Sequence, residues 1–144
     1  MTRDDLAVVS RMFACWAAGD LEGMLEITDP GLVFHASDGA LYEGHAGMRK
    51  FHARWQTNGQ RLEAPLQRAV EISPGRILAV GRLRLMRPGR GLADSPGVWA
   101  FHVYGGRVTL IHAYRTESEA IEALKAASAP MSAQAETVSP RARG

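Results

Sequence analysis

Three histidines fall within eighteen residues of one another in the segment VFHASDGALYEGHAGMRKFH, at His35, His45 and His52. A neutral imidazole titrates near neutrality and can take up or release a proton there. In an apolar hollow, loss of solvation disfavours the cation, lowers the pKa and keeps the ring available as a base. His35 is the leading candidate for that role, because LVFHAS is β-branched and aromatic and reads as a strand. Asp38, three residues on, would raise the pKa instead if it folds back over the turn. His52 shares a helical stripe with Met48, Phe51 and Trp55, so it reads as a core histidine, with a role in a pocket as the rival. His45 precedes that helix and reads as exposed or capping. His45 and His52 lack the i, i+4 spacing of a helical metal pair, and no metal site is expected.

Other chemistry-bearing types are few. Cys15 is the single cysteine, which excludes an intrachain disulfide and a thiolate zinc cluster. It reads as a small buried hydrophobe. Seventeen basic and fifteen acidic side chains leave a formal charge of +2, and 46% of residues are hydrophobic, as in an ordinary globular domain. The arginines between Arg76 and Arg90 read as a solvated strand face and loop, so no nucleic acid partner is expected. MTRDDLAVV has none of the features of a signal peptide, and no run reaches about eighteen apolar residues. A cytoplasmic protein with no membrane partner is the expectation.

The elements that must position these groups follow from periodicity. Leu6, Val9, Phe13 and Trp16 make a helical stripe over residues 4–18, with Thr2 and Asp5 as a capping box and Gly19 as the stop. Asp20 can cap a second, short helix carrying Leu21, Met24 and Leu25. LVFHAS and ALYEG form a short hairpin, and a third helix carries Met48, Phe51, His52 and Trp55 to a stop at Asn58–Gly59. The period then changes to two. Leu62 to Ile72 reads as one strand with an edge or bulge at Pro65, and RILAVGRLRLM as the next. RPGRGLADSPG reads as a long loop. VWAFHVY and RVTLIHAY flank Gly105–Gly106, a two-residue hairpin signal. Thr116 and Glu119 open a last helix, and the tail 127–144 reads as disordered. Consecutive strands joined by tight turns predict a mostly antiparallel sheet of four long strands with the helices gathered on one face, an α+β domain over residues 1–126.

CWAAGDLEGMLEITDPGLVFHAS, YEGHAGMRKF and VYGGRVTLIHAYRTESEAIEAL resemble the SnoaL-like and ketosteroid isomerase-like branch of the nuclear transport factor 2-like superfamily over roughly residues 4–126. The resemblance implies a cone-shaped, curved, mostly antiparallel sheet whose N-terminal helices close an apolar cavity (a cystatin-like roll), often paired as a homodimer through the outer sheet face. In the isomerase branch a carboxylate base stands near the end of the first strand, and His35 is the matching position. Met12 matches its oxyanion tyrosine and Trp99 its protonated acid. With those groups replaced, a steroid isomerase is not implied. The epoxide hydrolase branch needs carboxylates flanking an arginine, and neither Arg82 nor Arg84 has such a pair at inward parity, with Asp94 in the loop.

If position 35 faces the cavity, Val33 does too, and Leu32 and Phe34 face away. Trp99, Phe101 and Val103 would share the cavity face with Ile111, Ala113 and Arg115, while His102, Tyr104, His112 and Tyr114 point outward. Trp16, Phe51, Trp55 and Phe101 would supply an apolar wall, with core packing as the competing reading. Trp99 can donate its indole N–H to a ligand carbonyl. Tyr42 and Arg115 would stand at the mouth. The function implied is a cofactor-independent SnoaL-like enzyme that moves a proton on a hydrophobic carbonyl-bearing small molecule, giving isomerisation, cyclisation or dehydration, with His35, Trp99 and Arg115 at the reacting centre. The alternatives are a non-catalytic binding protein of the same fold and an association module with a filled core.

Overall fold

The computed structural model describes residues 2–56 and 59–127. The chain runs through α1 (Thr2–Ala18), α2 (Leu21–Glu26), β1 (Thr28–His35), β2 (Leu41–Glu43), α3 (Gly44–Trp55), β3 (Arg61–Glu63), β4 (Leu66–Ser73), β5 (Arg76–Arg87), β6 (Gly91–Tyr104), β7 (Arg107–Tyr114) and α4 (Glu117–Ala127). Local chemistry explains the boundaries. Asp20 accepts from the Gly23 N–H at 2.9 Å and starts α2, and Thr116 accepts from the Glu119 N–H at 3.1 Å and starts α4. Gly105 and Gly106 hold φ of 60° and 78°, the left-handed geometry that a two-residue hairpin between β6 and β7 needs. The cap expected at Thr2, the stop at Asn58 and the tail beyond Ala127 lie outside the described residues or side chains.

The sheet order is β2-β1-β7-β6-β5-β3, with β4 also paired to β5. Every pairing is antiparallel except β1 with β7, which run parallel. The result is an α+β fold in which a curled sheet wraps an apolar interior. Register shifts on β4, at Leu66/Arg68 and Glu71/Ser73, break its ladder with β5. Gly81 permits the close approach there: a Cβ on it would lie 2.1 Å from the Pro65 carbonyl oxygen, which accepts from the Arg82 N–H.

Three expectations are corrected. RPGRGLADSPG is not a long loop. Only Pro88–Arg90 turn; Arg87 ends β5 and the stretch from Gly91 on is β6, paired with β5 from Arg87↔Gly91 to Arg76↔His102. Asp94 is therefore a strand residue, bonded to Arg82 at 3.1 Å and 3.8 Å from Arg84. Pro96 is tolerated because β7 pairs only with Val98 onward, so the missing N–H leaves no ladder bond unmade on that side. The long period-two stretch after α3 is split into β3 and β4, giving five strands there rather than four. The helices also do not gather on one face. α1, α2 and α3 cover the concave side through Val9, Met12, Trp16, Met24 and Met48, whereas α4 packs Ala120 and Leu124 onto Leu78, Val98 and Ala100 on the outer side.

His102 lies on that outer side, directly across the ladder from Arg76. Burial, with the Arg76 charge adding to it, pushes its imidazole down to about 4. Unfolded, the ring binds its proton near pH 6.5. Between those values the unfolded chain holds more protons, so stability must fall as pH drops from 6.5 towards 4, by up to about 3 kcal/mol. Urea unfolding at pH 7, 5.5 and 4.5 should show this slope in the native protein and a flatter one in His102→Gln. An unchanged slope in the variant would assign the acid sensitivity to another group.

Candidate functional site

The concave face is built from alternation on three neighbouring strands. Phe34 on β1 is in register with Ile111 on β7, which is in register with Phe101 on β6. All three are buried and point into the interior, and Trp99 lies two residues before Phe101 on the same face. Helices close the space above them. α1 contributes Met12, Phe13 and Trp16, α2 contributes Met24, and α3 contributes Met48 and Phe51. Aromatic rings interlock around the opening: Phe34 to Phe51 at 4.8 Å, Trp16 to Phe51 at 5.3 Å, and Phe13 edge-on to Trp99 at 5.2 Å. The Trp16 indole N–H donates to the Leu62 carbonyl at 2.7 Å and pins α1 to the short edge strand β3. A Cβ on Gly97 would sit 2.3 Å from the Trp99 ring, so this glycine makes the room in which the indole lies.

Two adjoining hollows result. The inner one measures about 70 Å³ and has only apolar or aromatic residues in its wall. The outer one measures about 230 Å³ and is reached past Ala36, Ser37, Asp38, Trp55 and Ser95. Phe34, Phe51, Leu62, Leu83 and Trp99 wall both, so the two hollows adjoin as neighbouring parts of the cleft. Asp38 is the one titratable side chain among the described residues lining it. Asp38 accepts from the Ala40 N–H at 2.9 Å and lies 3.5 Å from Arg54, whose guanidinium stands 5.1 Å over the Trp55 ring. That chain of contacts fixes the lip of the opening. Among the described residues no three His, Cys, Asp or Glu side chains converge as a metal site would require.

The expected site residues divide accordingly. Met12, Trp16, Phe51, Trp99, Phe101 and Ile111 line the inner hollow, and Trp55 lines the outer. His35 does not face the cavity. Strand parity is the reverse of the expectation: Phe34 points inward, and His35 and Val33 point to the outer side. There His35 stacks on His112 at 4.5 Å, and His112 stacks on Tyr114 at 4.3 Å. Burial and the neighbouring His112 lower the pKa of His35, but behind the sheet rather than inside it. Arg115 is also not in the cavity wall. β7 ends at Tyr114, and Arg115 is an exposed residue of the bend that follows. His52 is partly buried, 5.8 Å from the Trp16 ring, and lines an external groove with Gln56 and Arg84. His45 bonds the Thr28 carbonyl at 2.7 Å, so its Nε2 carries the proton and holds α3 to β1. Tyr42 is buried behind Phe34 and Phe51 rather than at the mouth.

Sequence reasoning missed Phe34, Met24, Met48, Leu62, Leu83, Asp38 and Ser95 as cleft residues. Leu62, Leu83 and Leu85 were legible as one side of alternating strands. Ala93 and Ser95 were hidden by the glycines and prolines around them.

Three buried side-chain polar atoms, the Tyr42 hydroxyl, the Trp55 Nε1 and the Arg76 Nε, have no hydrogen-bond partner among the described residues. An unpaired buried hydroxyl is a cost rather than a support. Tyr42→Phe should therefore leave stability unchanged or raise it by up to about 1 kcal/mol in denaturant unfolding. A loss of that size would show that the hydroxyl is paired.

Comparison with known proteins agrees with this architecture. Residues 9–111 match the family model of the SnoaL-like domain. Among solved structures, a polyketide cyclase candidate of Xanthomonas campestris pv. campestris superposes with a TM-score of 0.68 at 18% identity, covering 85% of this chain and 98% of that one. The Δ5-3-ketosteroid isomerase of a Mycobacterium species gives 0.63 at 23% identity, covering 80% and 95%. TerC, co-crystallized with polyporic acid, gives 0.65 at 20% identity, covering 85% and 98%. No curated protein matches the sequence.

Proposed function

Because the chain belongs to the SnoaL-like domain family, and because its cleft is walled mainly by apolar side chains, with Ser37, Ser95 and a single carboxylate at the lip, we propose that it binds a compact, hydrophobic, carbonyl-bearing small molecule there. The observation that carries this reading is the composition of the wall: aromatic, leucine and methionine side chains, with polar groups confined to the entrance. Sites for small organic ligands have this make-up. Size supports one or two rings. An apolar cavity of about 150 Å³ is enough for benzene, the outer hollow holds about 230 Å³, and a four-ring skeleton exceeds both hollows. The similar protein co-crystallized with polyporic acid lends support at the level of the fold.

A second reading, that the cleft also moves a proton on its ligand in an isomerase, cyclase or dehydratase reaction, is favoured by one observation. Asp38 stands at the entrance and is ionisable. It is better situated for that role than His35, whose ring lies across the sheet from the cavity. Neither Arg115 nor a cofactor is needed for this reading. A homodimer would use the strip of outer sheet around His35 and His112 that α4 leaves open.

Thermal unfolding with a panel of one- and two-ring aryl ketones tests the binding reading. At a free ligand concentration of about 100 Kd, stability should rise by about 2.7 kcal/mol and Tm by several degrees. Leu83→Trp, which fills both hollows, should lose at least tenfold in affinity, and His35→Ala should bind as the native protein does. A panel that leaves Tm unmoved, or binding that survives in Leu83→Trp, would refute the cleft as the site. If a ketone is turned over, Asp38→Asn should keep its affinity and lose its rate.

A further inference from the structure

Resting on the reading of the cleft as a binding site, we infer that the ligand is an aromatic ring bearing a short apolar chain, with the ring in the outer hollow and the chain among Met12, Met24 and Met48. The inner hollow is the part of the cleft that lies against all three N-terminal helices, and each of these helices sends one methionine into it. All three are deeply buried, at 4%, 4% and 1% exposure. Its wall has no carboxylate, imidazole, amide or hydroxyl side chain, and of its two indoles that of Trp16 already gives its N–H to Leu62, which leaves the Trp99 indole, shared with the outer hollow, as the other N–H in the wall. A polar substituent would find at most that one N–H donor and no side-chain acceptor there, so hydrocarbon enters at the least cost.

Size and stiffness then define the chain. At about 70 Å³ the inner hollow is too small for a second ring and has room for two or three methylenes, each close to the roughly 30 Å³ share of a water molecule. Methionine is unbranched and deformable, so a wall of three can yield to a chain without moving the backbone. The rings of Phe34, Phe51 and Trp99 stand between the two hollows and suit the flat part of the ligand. The ligand's oxygen is left towards the entrance, where Ser37, Ser95 and Asp38 supply polar surface.

The series acetophenone, 4-methyl-, 4-ethyl-, 4-propyl-, 4-butyl- and 4-pentylacetophenone, in which the chain grows from the side of the ring opposite the oxygen, provides the test, with Kd read by calorimetry on the full chain. Each methylene moved from water into the hollow should tighten binding about three- to fourfold. The gain should continue through a three- or four-carbon chain and then level off, because the space is full. Met24→Phe puts a ring into the inner hollow and should abolish the gain per methylene. If acetophenone binds but the series is flat, or if folded Met24→Phe keeps the gain, the assignment of the chain to this hollow is wrong and the cleft remains a binding site. If no member of the series binds, the binding reading falls and this inference with it.

Discussion

A pleated strand sends neighbouring side chains to opposite faces, and this constraint divides the protein into two chemistries. On β1, β7 and β6 it turns Phe34, Ile111, Phe101 and Trp99 towards the helices. The same constraint turns His35, His112 and His102 away from them. The interior is left with hydrocarbon and aromatic rings, and the imidazoles collect behind the sheet. A shift of one residue in β1 would exchange the two sets. Parallel pairing with β7 prevents it, because Phe34 is locked beside Ile111 and His35 beside His112.

The cleft follows from that division. Its floor is sheet, its roof is α1, α2 and α3, and its side is closed by the Trp16–Leu62 bond. A chain whose interior carried an acid or base would need a partner for it in a dry space. Here the polar groups are pushed to the lip, where Asp38 can share solvent with Arg54. The outer side is organised differently. α4 seals Leu78, Val98 and Ala100, and His35, His112 and Tyr114 form a pile of rings beside it.

Much of this architecture was legible because it rests on local periodicity. The stripe from Leu6 to Trp16, the cap at Asp20, the hairpin at Gly105–Gly106 and the alternation from Trp99 to Val103 all signal their structure within a few residues. The resemblance to SnoaL-like proteins supplied the curl of the sheet, which no local pattern encodes. The site was less legible. LVFHAS has apolar residues at successive positions, so alternation gives no parity, and the matching of His35 to a catalytic position chose the wrong face. Burial of Leu32 and Phe34 settles it the other way. The strand Gly91–Tyr104 was obscured because glycine and proline punctuate it, although Asp94 and the arginines of β5 hold it in register. The side of the sheet that α4 covers depends on contacts far apart in sequence.

The pairing of β1 with β7 has a consequence in time. Residues 28–35 have no long neighbour until residues 107–114 exist to lie beside them. The N-terminal helices are synthesised first and the surface they cover is completed last. Contacts this distant along the chain carry a large loop-closure cost and slow the search for the native state. A nascent chain that stops before β7 presents the Phe34 face and the open edge of β1 to the surroundings, the kind of surface that chaperones hold and aggregates grow from.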